Sequence, residues 1–163
     1  MESANPEPEP RAVAKVRGAA MAAGLEVRIA IMPDSTRTAE DAAAACGCDV
    51  GQIVKSLVFP GKDSRRPILL LVSGRNRVDT VKVAAVIGEA LDRPDADFVR
   101  AVTGYAIGGI PPIGHDTPMA TYFDTDLLAY PEVFAAAGTP NAIMAVNPAA
   151  LSKAAAAIET KVA

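Results

Sequence analysis

Residues 53–72 read Ile53-Val54-Lys55-Ser56-Leu57-Val58-Phe59, then Pro60-Gly61-Lys62-Asp63-Ser64-Arg65-Arg66, then Pro67-Ile68-Leu69-Leu70-Leu71-Val72. The first run is apolar, partly β-branched and followed by turn residues, which is the pattern of a strand. The last run is apolar on both faces, as a strand in the centre of a sheet must be. Pro60-Gly61-Lys62-Asp63 is turn chemistry. Two strands this close in sequence predict an antiparallel hairpin. A hairpin in mid-chain argues against a purely parallel, doubly wound sheet.

Around the hairpin, Val13, Val16, Ala20 and Ala23 recur at helical spacing and predict a helix over residues 11–25, stopped by Gly24. Residues 26–32 (EVRIAIM) alternate as a strand that Pro33 ends. Thr38-Ala39-Glu40-Asp41 has the form of a helix N-terminus with acids in its first turn, and Gly47 breaks the Ala-rich run behind it. Asp79 is placed to cap a helix whose buried face reads Val81, Ala84, Ala85 and Ile87. Further on, strands are predicted at Phe98–Val102, Met119–Phe123 and Ala142–Val146, with a short helix within residues 127–137. Asn147 and Pro148 open a last helix predicted to run to Ala157. The expected fold class is α/β: a mixed, twisted sheet or partly closed barrel surrounded by helices.

The chain has 163 residues, 50% hydrophobic and 4% aromatic, with no Trp. At ~100–200 residues per domain, that is one domain. Residues 1–10 (MESANPEPEP) hold no core formers and predict a disordered or extended tail, leaving residues 11–163 as a single folded unit. Composition excludes a disordered chain and a base-stacking surface rich in aromatics. No apolar run reaches the ~20 residues of a membrane span, and no secretory leader pattern opens the sequence. The cytosol is the expected compartment. The formal net charge is −3, yet residues 53–83 hold seven Lys and Arg against two Asp. That segment includes Arg65, Arg66, Arg75 and Arg77, and reads either as a solvated basic loop or as a surface for one polyanion.

The usual catalytic sets are missing. Cys46 and Cys48 stand one residue apart and, with His115 the single histidine, cannot build a four-ligand zinc site. They read as half-buried thiols near a helix end. No set pairs His115 with a nucleophile and an orienting acid, so Cys46, Cys48 and His115 are not expected to be catalytic. Asp124 and Asp126 read as helix-capping acids. Gly104–Gly109 lacks the middle glycine of a dinucleotide fingerprint and opens no helix. Neither metal nor cofactor is expected.

Two features remain. Lys55 shares one strand face with Ile53, Leu57 and Phe59; an ammonium there either snorkels past the strand end or lines a cavity. Gly108-Gly109-Ile110-Pro111-Pro112 is a stiff loop whose glycines let backbone N–H groups approach a ligand. It reads either as a tight structural turn or as an oxyanion-type donor set.

Taken together, Thr38–Asp41, Gln52–Phe59, Gly108–Gly114 and Gly138-Thr139-Pro140-Asn141 resemble the YbaK/EbsC family, free-standing relatives of the editing domain in bacterial prolyl-tRNA synthetase. The resemblance runs from about residue 11 to residue 157 and implies a deacylase acting in trans on a mischarged small amino acid. The alternative is a non-catalytic tRNA- or nucleotide-binding module of the same fold. It implies that Lys55 binds the terminal nucleotide and that Gly108, Gly109, Ile110, Pro111 and Pro112 position the aminoacyl carbonyl. Water is activated with help from a ribose hydroxyl. By the same resemblance Gly138, Thr139 and Asn141 border the amino-acid pocket. Where some members carry Ser-Gly-Gly followed by Asp, this chain has Ala137-Gly138-Thr139 and Asn141. The implied partners are a mischarged tRNA, held by its acceptor end with Arg65, Arg66, Arg75 and Arg77 as docking residues, and prolyl-tRNA synthetase. DNA and membranes are not implied.

Overall fold

The hairpin is the centre of a seven-stranded mixed sheet in a computed structural model that describes residues 9–163. Strand β2 (Ile53–Pro60) pairs antiparallel with β3 (Pro67–Ser73), in register from Val54↔Ser73 to Pro60↔Pro67. Numbered along the chain, the others are β1 (Val27–Ile31), β4 (Ala120–Asp124), β5 (Val133–Ala136), β6 (Ala142–Val146) and β7 (Ile158–Thr160). Their order across the sheet is β1-β6-β5-β2-β3-β4-β7. The contacts β2–β5, β3–β4 and β4–β7 are parallel; β5–β6 and β6–β1 are antiparallel. The sheet is therefore open and mixed.

Each face is covered by helices because β3 is apolar on both. Leu69 and Leu71 point to one side, joining Phe123, Met144, Val133 and helix α1 (Arg11–Ala22) through Val13, Val16 and Ala20. Ala23, expected on that buried face, is exposed past the helix end. Ile68, Leu70 and Val72 point to the other side and pack with Tyr122, Val162 and helix α3 (Thr80–Ile87). A third cluster joins Ile53 and Ile143 to Ala42 and Ala43 of helix α2 (Ala39–Cys46).

Four expectations need correction. Residues 98–102 are not a strand but part of helix α4 (Ala96–Thr103), because Asp95 caps the Phe98 amide and Asp97 and Arg100 pair across one turn. The helix expected within residues 127–137 is a 3₁₀ turn at Thr125–Ala129, followed by β5, whose Val133 and Ala135 face the core. The last helix, α5 (Pro148–Ala154), stops before Ala157, and three residues of edge strand β7 follow it. Helix α3 presents a different face: Val83 is fully buried and Ile87 half-buried, while Val81 is 81% exposed. The Asp79 cap accepts from Val81 and Lys82 and so sets this rotation.

Most of the predicted tail, residues 1–8, lies outside the described residues. Its last two residues are ordered against α1: Pro10 precedes the helix and the Glu9 carboxylate accepts from Arg17. No helix among the described residues is long and apolar enough to cross a membrane.

The α3 rotation is testable by chemical denaturation. Val83→Ala should destabilise the fold by about 2 kcal/mol, since it opens a cavity in a closed cluster. Val81→Ala should stay within about 0.5 kcal/mol of the parent. Equal losses at the two positions would contradict this packing.

Candidate functional site

Strand β2 pairs with β5 only at Ile53 and Val54. Beyond that point the two strands part, and a cavity of about 540 Å³ opens along Lys55, Ser56 and Leu57. Its walls come from the segment Thr36–Glu40, from Gly74, from Phe134–Ala136 and from Ile107, Gly108 and Ile110. Lys55 lies between two apolar clusters on its face: Ile53 belongs to the α2 cluster, Leu57 and Phe59 to the α3 cluster.

Half-burial pushes the Lys55 ammonium below its ordinary value; Glu40 and Asp124 oppose this, and Arg77 adds to it. Lys55 Nζ donates to the Asn76 carbonyl oxygen at 2.5 Å. Asn76 is fixed in turn, its Nδ2 donating to Asp124 Oδ2 at 2.8 Å and to Asp126 Oδ2 at 2.7 Å. Asp124 is 1% exposed and also accepts from the Ser73 amide and, through Oδ1, from the Asp126 amide. The two acids read as caps therefore do more than cap. They anchor the turn that holds the lysine.

The glycine loop is braced from behind. Gly109 is buried and its amide donates to Ala106, while its carbonyl accepts from the Gly138 amide at 2.9 Å. A Cβ on Gly109 would come within 2.7 Å of the Thr139 backbone, and one on Gly138, at φ +108°, within 2.7 Å of the Ala12 carbonyl oxygen. Thr139 Oγ1 donates to Asn141 Oδ1, and Asn141 Nδ2 donates to the Met32 carbonyl. Gly138, Thr139 and Asn141 thus stand behind the loop, and the cavity wall does not include them. Pro111 and Pro112 are buried beside it. Gly108 and Ile110 are on the wall, and their amides have no partner among the described residues. Gly108 has φ +91° and lies against the Arg37 side chain.

His115 serves this brace. Its Nε2–H donates to the Pro111 carbonyl at 2.6 Å, and its ring meets Tyr105 edge-on. Burial raises the Tyr105 phenol to about 12, and its hydroxyl donates to Gly114 O. Lys15 of α1 lies over the Tyr105 ring and pairs with Asp116. Cys46 and Cys48 are half-buried free thiols at the far end of α2; burial pushes Cys46 up to about 11.

The basic segment is largely neutralised by its own neighbours. Arg65 pairs with Asp92 and Arg75 with Asp49, and Glu89, held low by hydrogen bonds from Ser64 and Asp63, feels Arg66 as well. Arg77 has no ion pair among the described residues, nor has Arg37 on the cavity wall. Sequence reasoning missed Arg37, Glu40 and Asn76; the one signal available was that Arg37 and Glu40 flank the Thr38 cap.

The aminoacyl-tRNA editing domain family model matches residues 33–154, the span holding every wall of this cavity. The uncharacterized protein YwhH of Bacillus subtilis is 31% identical over 119 residues, covering 73% of this chain and 75% of that one. EbsC of Enterococcus faecalis, described as a candidate Cys-tRNA(Pro)/Cys-tRNA(Cys) deacylase, is 30% identical over 102 residues, 62% of either chain. A crystal structure of a candidate trans-editing enzyme for prolyl-tRNA synthetase superposes with a TM-score of 0.88 at 44% identity, covering 95% of this chain and 98% of that one.

Burial holds the His115 imidazole below its ordinary value of 6.5, although the bond to Pro111 works against the shift. Between that depressed value and 6.5, the unfolded chain binds a proton that the folded protein does not. Stability is therefore full above 6.5 and falls as pH drops below it. Urea unfolding of the parent and of His115→Gln across this range should show the steeper decline in the parent. Parallel pH profiles would mean that His115 does not titrate on unfolding.

Proposed function

Because the chain belongs to the aminoacyl-tRNA editing domain family, we propose that it is a deacylase acting in trans, hydrolysing the ester between a small, wrongly attached amino acid and the 3′-terminal ribose of a tRNA. One observation carries this reading beyond membership: Lys55, Gly108 and Ile110 border a single cavity. Its size falls in the range of small-ligand sites.

The proposed chemistry needs no side-chain nucleophile. Water attacks the ester carbonyl carbon, the bond from that carbon to the ribose oxygen breaks, and free amino acid and tRNA leave. The amides of Gly108 and Ile110 donate to the carbonyl oxygen, and these bonds strengthen as it gains charge. Lys55 donates one N–H to the Asn76 carbonyl and keeps two for the terminal nucleotide. A ribose hydroxyl of the substrate assists the water, a role for which the cavity wall offers no histidine or cysteine. Mischarged tRNA is then the partner. A link to prolyl-tRNA synthetase rests on the description of the solved relative.

Hydrolysis of a panel of alanyl-, seryl-, cysteinyl- and threonyl-tRNAs tests the reading. At least one should turn over. Lys55→Ala should lower kcat/KM on it by about a hundredfold without destabilising the fold, because it takes a charge off an apolar wall. Gly108→Ala should also impair turnover, through a strained backbone at φ +91° and pressure on Arg37. A folded, fully active Lys55→Ala protein would remove this residue from the mechanism.

Docking of the acceptor end falls to the unpaired cations nearest the cavity, Arg37 on its wall and Arg77 close to Lys55. Arg37→Ala and Arg77→Ala should each weaken binding of uncharged tRNA and lower the log–log salt slope by about one unit. Arg65→Ala and Arg75→Ala should change it less, since each first has to be released from its own carboxylate. Equal slopes for all four variants would place the nucleic acid elsewhere.

A further inference from the structure

Ester hydrolysis by backbone donors does not call for an acid, yet the cavity wall carries one carboxylate, Glu40. Glu40 is not spent on the fold. The cap of α2 is Thr38, whose hydroxyl accepts from the Asp41 amide at 3.1 Å. Among the described residues the Glu40 carboxylate makes neither an ion pair nor a hydrogen bond. Lys55 is close enough for Glu40 to oppose the effect of burial on it, yet the two form no ion pair, and the one Lys55 hydrogen bond goes to the Asn76 carbonyl.

Position and charge together define what Glu40 would bind. Arg37 lies against Gly108, so the segment carrying Glu40 and the loop carrying the carbonyl donors are neighbouring walls of one cavity. In an aminoacyl ester the α-nitrogen is two bonds from the carbonyl carbon. A carbonyl held at Gly108 and Ile110 therefore brings its amino group near this wall. The other charged groups on the cavity wall, Arg37 and Lys55, are cations and repel an ammonium; Asp124, which also acts on Lys55, is buried and taken up by the Ser73, Asn76 and Asp126 donors.

We propose that Glu40 binds the α-ammonium of the aminoacyl group and so makes the site selective for esters with a free amino group over N-acylated, peptidyl-like esters. This rests on the deacylase reading and deepens it: the substrate class is aminoacyl-tRNA as opposed to peptidyl-tRNA.

The experiment compares the panel tRNA that turns over fastest with the same tRNA after N-acetylation, using the parent, Glu40→Gln and Glu40→Asp. The parent should prefer the free-amino ester by about tenfold or more in kcat/KM, as the loss of one charge-assisted hydrogen bond predicts. In Glu40→Gln the preference should shrink to within about threefold, through a higher KM for the free-amino ester. Glu40→Asp should recover part of it, and the thermal melts of both variants should match the parent. Preference for the free amine that survives Glu40→Gln would trace it to steric exclusion of the acetyl group and overturn the proposal, as would equal parental rates on the two esters. These results leave deacylation standing. A parent that hydrolyses no ester in the panel overturns deacylation, and the proposal falls with it.

Discussion

A buried carboxylate holds the centre of this molecule together. Asp124 ends β4 with almost no exposure and takes the Ser73 amide, the Asn76 side chain and the Asp126 amide. Those donors belong to the exit of β3, to the turn after it and to the 3₁₀ turn after β4. Removing the carboxylate would leave the buried Ser73 amide unpaired, at a cost of about 1–3 kcal/mol, and release the part-buried Asn76 and Asp126 donors to solvent. The same carboxylate decides where a functional group sits. Asn76, gripped through its side chain, offers its carbonyl to Lys55. The lysine is thereby drawn toward one end of the cavity without an ion pair to neutralise it.

The cavity follows from how the sheet is shared out. Strand β3 is the common wall of both cores, so β2 must run the full length of its partner, whereas β5 is four residues long and pairs with β2 at two positions. The seam between them opens where β5 turns away toward β6. A seam of this kind exposes backbone, and the chain fills its far side with the glycine loop. That loop is rigid for reasons outside itself: the Gly138–Asn141 turn blocks it from behind, and His115, Tyr105 and Lys15 brace the stretch that follows. Backbone donors fixed in this way need no reorganisation when charge develops opposite them.

The sequence was most legible where local pattern and tertiary role agreed. The β2–β3 hairpin needed only alternation, a doubly apolar run and turn residues between them, and Lys55 stood out because it broke an apolar face. Legibility failed where a short segment satisfied two patterns. Phe98-Val99-Arg100-Ala101-Val102 is a short, mostly apolar run that fits a strand as well as a helix, and the deciding signal was the Asp95 cap three residues upstream of Phe98. The short helix expected within residues 127–137 is confined to the 3₁₀ turn, and Val133-Phe134-Ala135-Ala136 is a strand because β2 and β6 lie on either side of it. Asn76 and Asp124 were illegible as a unit, since a contact across 48 residues leaves no local trace. Gly138, Thr139 and Asn141 were nominated as pocket residues, and the structure places them one layer behind, supporting the loop that borders the cavity.

The distribution of charge explains why so acidic a chain can present a cationic mouth. Its net charge is −3, and half of its ten arginines pair with acids of their own neighbourhood, as Arg65 does with Asp92 and Arg75 with Asp49. Exposed pairs of this kind contribute little stability, but they cancel field. Three of the cations without an ion pair among the described residues sit where the sheet opens: Lys55 half-buried, Arg37 against the loop and Arg77 near enough to act on Lys55. Beyond a Debye length of roughly 8 Å the paired surface is nearly invisible to a polyanion, and the unpaired cations near the cavity are not. A weakly acidic body with cations at the cavity suits the proposed deacylase, which would engage the end of a polyanion and release it after one bond is cut. A uniformly basic surface would hold the whole nucleic acid and slow its departure.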